Sequence, residues 1–217
     1  LDEAMTLEVG PSGSSQVYAV FEAASGAVVD IWASTTGEDD VAVSLMGVSG
    51  QEIDRDDDDG SDNNALLRRV VLPDTGFYLV RVDQSYSDEP MTSNVTVTVN
   101  ASEQLYLSAE PQPLVLGDGE GQIGTEVYTM EVKAGVTYRL IFTIEPNPDE
   151  EMGIKVELLD TDRFFDPELD VQHATGVSWD FLPTSSGTIR VDVHPTLFAN
   201  DLHSIEYTAA LEVIEAK

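Results

Sequence analysis

The chain has 217 residues, no cysteine and a formal net charge of −31 at pH 7, because 41 acidic side chains outnumber 10 basic ones. So acidic a surface repels phosphate backbones and anionic lipid, which argues against binding to nucleic acid or to a membrane surface. The absence of cysteine excludes disulfides, thiolate metal sites and cysteine nucleophiles. No stretch reaches the ~20 apolar residues of a membrane-spanning helix, so we expect no membrane insertion.

Apolar and polar residues alternate with a period of two along nearly the whole chain, and helical periodicity is nearly absent. Residues 94–100 are the clearest case, because Val95, Val97 and Val99 alternate there with Asn and Thr. Turn signals rich in Gly, Ser, Asp and Pro separate the short segments. This pattern predicts an all-β fold of antiparallel, jelly-roll-like β-sandwiches.

Four landmarks of the first half of the chain return in the second half. They are Val17-Tyr18 with Val127-Tyr128, Gly26 with Gly135, Leu72-Pro73 with Leu182-Pro183, and Gly76 with Gly187. The separation stays close to about 110 residues at all four, which indicates two copies of one domain. We therefore predict a first sandwich over residues 1–104 and a second over residues 105–217. Features that only one copy carries are the better candidates for function.

An acidic run at residues 54–62 is the candidate metal site of the first copy. Calcium takes 6–8 oxygen ligands, and Asp56, Asp57, Asp58 and Asp62 could supply several of them from one turn. The spacing does not fit an EF-hand loop in either register. The alternative is a solvated acidic loop whose charge discourages aggregation, and the sequence leaves both interpretations open.

Two strands of the first copy place apolar residues on the face that alternation turns outward. These residues are Val28 and Trp32 in one strand and Phe77 and Leu79 in the other. The second copy carries mostly polar residues at the matching positions. An exposed apolar patch on so acidic a protein predicts an interface with another copy, a partner or the sister domain. The alternative is that bends in the strands bury these residues in a local core.

A Tyr-containing strand, a turn ending in Gly, an Asp-rich turn and a Gly-aromatic strand follow one another in the first copy. They are Val17-Tyr18, Ser25-Gly26, residues 56–60 and residues 76–82. This order resembles the bacterial pre-peptidase C-terminal domain, although the second copy lacks the Asp-rich turn and has Ile189 where Tyr78 stands. The resemblance implies a secreted, non-catalytic β-sandwich of a kind often appended to exported hydrolases. Some relatives bind calcium or collagen-like ligands.

The sequence contains neither the Gly-x-Ser-x-Gly nor the His-Glu-x-x-His motif, and we expect no enzymatic activity. The first hypothesis is a secreted or cell-surface structural or adhesive subunit. It would self-associate into a homo-oligomer or filament through sandwich edges and the outer patch, with calcium offsetting the charge repulsion. The alternative is a calcium-dependent accessory module of a secreted hydrolase that binds a polysaccharide or a fibrous protein.

Overall fold

The computed structural model describes residues 5–9, 15–57, 64–85, 90–116, 126–144, 153–160, 163–172, 177–195 and 205–214. All regular secondary structure within these ranges is β-strand, which confirms the predicted all-β class. The chain divides into two compact units, Leu1–Gln104 (unit 1) and Leu105–Lys217 (unit 2).

Unit 1 is an antiparallel sandwich of two four-stranded sheets, ordered β1-β8-β3-β6 and β2-β7-β4-β5. The strands are β1 (Met5–Val9), β2 (Gln16–Ala23), β3 (Val28–Thr35), β4 (Val41–Met46), β5 (Glu52–Asp56), β6 (Ala65–Val71), β7 (Gly76–Gln84) and β8 (Val95–Ala101). Most successive strands belong to opposite sheets, which is the jelly-roll order. Neighbours along the chain therefore lie in different layers of the sandwich.

Unit 2 repeats this topology and adds one short strand. Its strands are β9 (Leu105–Tyr106), β10 (Gln112–Leu116), β11 (Glu126–Val132), β12 (Thr137–Ile144), β13 (Gly153–Asp160), β14 (Arg163–Gln172), β15 (Val177–Phe181), β16 (Gly187–Pro195) and β17 (Ile205–Ile214). The sheets are ordered β10-β17-β12-β15 and β14-β13-β16-β11-β9. The extra strand β9 runs parallel to β11 at the sheet edge.

Each core forms between the inner faces of the two sheets of its unit. In unit 1 the side chains of Val95, Val97 and Val99 are completely buried, as the alternation predicts. Ile31 and Tyr78 enter the same core from β3 and β7. In unit 2, Leu140 and Phe142 occupy the corresponding layer. Period-two patterning therefore suffices to tell the dry face from the wet face of these strands.

Both units use the same turn between their second and third jelly-roll strands. Ala27 N donates to Ala24 O at 3.1 Å, and Val136 N donates to Lys133 O at 3.2 Å. Gly26 and Gly135 hold φ angles of 80° and 75°, as the third residue of a type II turn requires. A side chain at either position would strain the backbone, which explains why both copies have glycine there.

The strand register shifts two of the four repeat landmarks by one residue. The last residue of β2 and of β11 pairs with the glycine that opens the neighbouring strand: Ala23 with Gly76, and Val132 with Gly187. Counting back from these pairs, Tyr18 corresponds to Val127 and not to Tyr128. Similarly, Gly26 N donates to Leu72 O, and the equivalent Gly135 N donates to Pro183 O. Leu72 therefore corresponds to Pro183 and not to Leu182. The two units share one strand order, but these two sequence matches are wrong by one position.

Candidate functional site

The four residues predicted to form one interface lie on two different sheets. Val28 and Trp32 belong to β3, whereas Phe77 and Leu79 belong to β7. These strands sit in opposite sheets of the unit 1 sandwich, whose outer faces point in opposite directions. The prediction of a single patch is therefore wrong, because jelly-roll connections send the two strands to opposite layers. Alternation does place all four side chains on outer faces.

Phe77 and Leu79 lie in a larger apolar surface on the outer face of the sheet β2-β7-β4-β5. We name it the β2–β7 patch, and it consists of Tyr18, Val20, Met46, Phe77 and Leu79. Val20, Leu79 and Met46 form one cross-strand row, since Leu79 pairs with both of the others. The side chains of Tyr18, Val20 and Phe77 are 51%, 53% and 65% exposed. The molecule thus presents a contiguous apolar surface to solvent.

The sequence analysis missed Tyr18, Val20 and Met46. The alternation around Val17, Ala19 and Phe21, all of which are buried, was sufficient to turn Tyr18 and Val20 outward. Only the pairing register shows that these residues adjoin Phe77 and Leu79. Strand pairing over such a sequence distance is not encoded in local periodicity.

A network of four charged side chains borders the β2–β7 patch. Arg81 Nε lies 2.8 Å from Asp83 Oδ2, and Arg81 Nη2 lies 3.4 Å from Glu52 Oε2. Arg55 Nη1 lies 3.6 Å from the same Asp83 oxygen. Both arginines also donate to the buried hydroxyl of Ser44, at 3.2 and 3.4 Å. The two cations and two carboxylates of this network cancel, whereas the exposed Glu22, which pairs with Phe77, adds one negative charge beside the patch.

Unit 2 carries no counterpart of the β2–β7 patch among its described residues. The corresponding pairs are Val20 with Thr129, Phe77 with Thr188, and Leu79 with Arg190. Thr188 Oγ1 donates to Glu131 Oε1 at 2.6 Å, and Arg190 Nε donates to Asp192 Oδ1 at 2.6 Å. Tyr18 matches the apolar Val127, but that side chain is only 2% exposed. Tyr18, Val20 and Phe77 therefore have no exposed apolar counterpart among the residues of unit 2 that the structure describes.

Trp32 and Val28 lie on the opposite outer face and are less accessible. Both side chains are half-buried. The buried Leu66 lies across from Trp32 in β6, and Val71 lies across from Val28. This face offers less exposed apolar surface than the β2–β7 patch, and the candidate site is the patch.

The predicted metal ligands lie at and beyond the end of β5. Asp56 Oδ2 accepts a hydrogen bond from Leu66 N at 2.8 Å, which ties the start of β6 to the end of β5. Asp57 Oδ2 accepts one from Ser85 Oγ at 3.3 Å. Asp58 and Asp62 lie outside the described residues. The described residues therefore include two of the four predicted metal ligands, and the hydrogen bond from Leu66 N gives Asp56 a structural role.

Asp40 adds a carboxylate that the sequence analysis did not single out. Burial raises the pKa of Asp40, and the negative charge of Asp57 raises it further. Like charges are therefore close together at this end of the sandwich, where a cation would be favoured. Within the part of the chain that the structure describes, no three His, Cys, Asp or Glu residues converge as a metal site would require.

Comparison with known proteins finds likeness in structure only. No protein-family model matches the chain, and no curated protein matches it. PliG of Aeromonas hydrophila, a periplasmic inhibitor of g-type lysozyme, is 16% identical over 46% of this chain and 86% of its own, with a TM-score of 0.34. The pre-peptidase C-terminal domain of a Bacillus anthracis collagenase is 14% identical over 52% of this chain and 100% of its own, with a TM-score of 0.36.

A third likeness spans both units. A223, a turret protein in Sulfolobus turreted icosahedral virus, is 13% identical over 98% of each chain, with a TM-score of 0.27. At sequence identities and TM-scores this low, the likenesses concern β-sandwich architecture and nothing finer. No comparison therefore shows that the chain belongs to the pre-peptidase C-terminal family, and that resemblance stays a prediction from the sequence. The described residues also contain no helix of the length and apolarity that a membrane span requires.

Proposed function

We propose that the protein is a non-catalytic structural or adhesive subunit, secreted or exposed at the cell surface, that self-associates through the β2–β7 patch. The observation that carries this proposal is the exposed apolar surface of Tyr18, Val20 and Phe77, which unit 2 replaces with polar or buried side chains. Apolar surface gains about 25 cal/mol for each Å² removed from water. A monomer that leaves such a surface exposed forgoes that stabilisation.

The charge distribution also supports the β2–β7 patch as the contact surface between two copies. Two copies that each carry −31 repel one another over most of their surfaces. The network of Arg55, Arg81, Glu52 and Asp83 is neutral, so these four side chains add no net repulsion to contact at the adjoining patch, and Glu22 beside Phe77 contributes one negative charge. Salt should strengthen the association, because screening weakens the remaining repulsion while leaving apolar burial intact.

The double substitution Val20→Thr with Phe77→Thr tests the patch. It installs the residues that unit 2 carries at the corresponding positions and leaves the net charge unchanged. Since burying one large apolar side chain is worth about 1.5–3 kcal/mol, we expect the dimer dissociation constant to rise at least about tenfold. Sedimentation equilibrium at several salt concentrations measures that constant.

Leu182→Ser is the matched control, because Leu182 is 56% exposed but belongs to unit 2. It should leave the dissociation constant unchanged. A wild-type protein that stays monomeric at high concentration and high salt contradicts the proposal. Equal weakening by the control and the patch variant contradicts it as well.

We further propose that calcium binds the acidic end of unit 1 through Asp57 together with Asp58 and Asp62, and that it supports assembly by reducing charge repulsion. The pair of nearby carboxylates Asp40 and Asp57 supports this proposal, because a cation there would relieve their mutual repulsion. Calorimetric titration with calcium should detect binding that Asp57→Asn weakens at least about tenfold. Asp74→Asn, an exposed acid of the same unit, should change nothing. Identical titrations for the two variants would mean diffuse counterions and no site.

The accessory-module hypothesis is supported by the exposed rings of Tyr18 and Phe77. Aromatic side chains on an open sheet face can stack on sugar rings or pack against a fibrous protein. Affinity electrophoresis in gels containing polysaccharide or collagen separates the two functions. Retardation that disappears in the Val20→Thr, Phe77→Thr double variant would favour this second function over self-association.

A further inference from the structure

Within the described part of unit 1, the edge of β2 is open on one side. β2 is an outer strand of its sheet, and among the described strands only β7 pairs with it. Its counterpart β11 in unit 2 has a partner on both sides, β16 and β9. The same structural position is therefore an edge in one unit and an interior strand in the other.

The backbone groups that face this open side can be identified from the register. Gln84 N donates to Ser15 O, which directs the backbone of Ser15, and of every second residue after it, toward β7. The amide and carbonyl groups of Tyr18 and Val20 therefore point away from β7, toward the open side. These groups can form hydrogen bonds with an added strand.

Unit 2 shows how such an edge is filled. Val20 corresponds to Thr129, whose carbonyl oxygen accepts a hydrogen bond from Leu107 N at 3.0 Å. Thr129 Oγ1 also donates to Leu105 O at 3.1 Å. The side chain of Leu107 is 6% exposed and belongs to the core, and Leu105 packs against that core. An extended segment with apolar residues two positions apart thus fits this edge in parallel orientation.

Two other edges of unit 1 carry features that discourage strand addition. β5 consists largely of charged residues, with the sequence Glu-Ile-Asp-Arg-Asp. β6 contains a bulge opposite β3, and Arg69 holds a φ angle of 49° there. β2 has eight residues without a bulge, and residues 17–21 are uncharged. Natural sheets use charge and bulges to protect their edges; β2 has no bulge, and its one charged residue, Glu22, lies near its C-terminal end.

We propose that the open edge of β2 binds an extended segment of a separate polypeptide by β-augmentation. The segment runs parallel to β2, forms hydrogen bonds with the backbone of Tyr18 and Val20, and carries apolar side chains two residues apart, as Leu105 and Leu107 do in unit 2. Main-chain hydrogen bonds supply affinity in this mode of recognition, and the alternating side chains supply specificity. This inference concerns the edge of the sheet and does not depend on self-association through the β2–β7 patch.

A synthetic peptide with the sequence of residues 104–110, Gln-Leu-Tyr-Leu-Ser-Ala-Glu, is the probe. Added to the full chain, it should shift the amide NMR signals of residues 17–22, with a dissociation constant of about 0.1–1 mM, since a single short strand forms few hydrogen bonds. Val20→Pro should weaken binding at least about tenfold, because proline removes the edge-facing amide. Proline is tolerated at an edge where the lost amide faces solvent.

Two modified peptides keep the test valid if Val20→Pro unfolds the protein. Methylation of the Leu107 amide nitrogen removes the donor that contacts β11 in unit 2, and should abolish the shifts. Methylation of the Tyr106 amide nitrogen, which points to the other side, should preserve them. Absence of shifts with the unmodified peptide overturns the proposal, as does equal loss with both methylated peptides. Loss of the peptide-induced shifts in the single variant Phe77→Thr, which changes the outer face and leaves β2 intact, would assign binding to the outer face and also overturns the proposal.

Discussion

Replacing Tyr78 with alanine is expected to lower the free energy of unfolding of unit 1 by about 4 kcal/mol, as for other large buried aromatic side chains. Tyr78 is completely buried, and its ring stacks on that of Phe21 with centroids 5.5 Å apart and planes 21° apart. Its hydroxyl accepts from Asp74 N at 3.0 Å and donates to Asp74 O at 2.5 Å. Hydrogen exchange at the amide of Ile31, in the same core, measured at increasing urea concentrations gives the loss in the free energy of unfolding.

Tyr78→Phe separates the two contributions of this residue. It keeps the ring and removes the two hydrogen bonds to the turn at Asp74, so a loss of about 1–2 kcal/mol is expected. The natural control is Ile189, which occupies the position of Tyr78 in unit 2 without a hydroxyl. In unit 2 a tyrosine holds a different turn: the Tyr138 hydroxyl accepts from Lys133 N at 2.9 Å, between β11 and β12. Equal losses for Tyr78→Phe and Tyr78→Ala would show that the ring contributes nothing.

Asp39→Ala is expected to destabilise unit 1 by about 3 kcal/mol at pH 7, because it leaves buried donors without an acceptor. The Asp39 carboxylate is 6% exposed. It accepts hydrogen bonds from Thr92 N at 2.9 Å and from Ser93 N at 2.6 Å, and a third from the Thr92 hydroxyl. These bonds fasten the segment before β8 to the connection between β3 and β4. Glu103→Gln, at an exposed acid, should change the unfolding free energy by less than about 0.5 kcal/mol.

The contribution of Asp39 should depend on pH in a defined direction. Burial raises the pKa of Asp39, but the hydrogen bonds from Ser93 and Thr92 together lower it further, so the pKa lies below its ordinary value of 3.8. A carboxyl group with a lowered pKa stabilises the folded state above its unfolded pKa and loses that contribution as the pH falls through the folded value. The stability difference between wild type and Asp39→Asn should therefore be constant near neutral pH and shrink below about pH 4. A difference that grows on acidification would contradict this assignment.

Local periodicity was sufficient to predict the fold class and the inward face of most strands. Val95, Val97 and Val99 lie in the core as expected, because a strand with one dry face must alternate. The repeat was also readable, although the matches at Tyr18 and Leu72 were out of register by one residue. A coincident pair of letters cannot establish which of two adjacent side chains points inward, and only the pairing with β7 or β16 does so.

The candidate site was predicted in part. Phe77 and Leu79 were correctly turned outward, but Trp32 belongs to the opposite sheet, because alternation says which side of a strand is wet and nothing about which layer the strand joins. Residues brought together by long-range pairing, such as Val20 with Leu79, leave no local signal. The calcium ligands stay a prediction, with Asp57 near Asp40 as their structural support.

The short strand β9 precedes β10 along the chain, and it lies against β11 of its own unit. A gene segment that begins just before Leu105 therefore encodes a sandwich together with the strand that covers one edge of its sheet. Duplicating such a segment adds domains to a protein without adding this open sheet edge. A segment duplicated from β10 onward would leave the edge of β11 unpaired in every added domain.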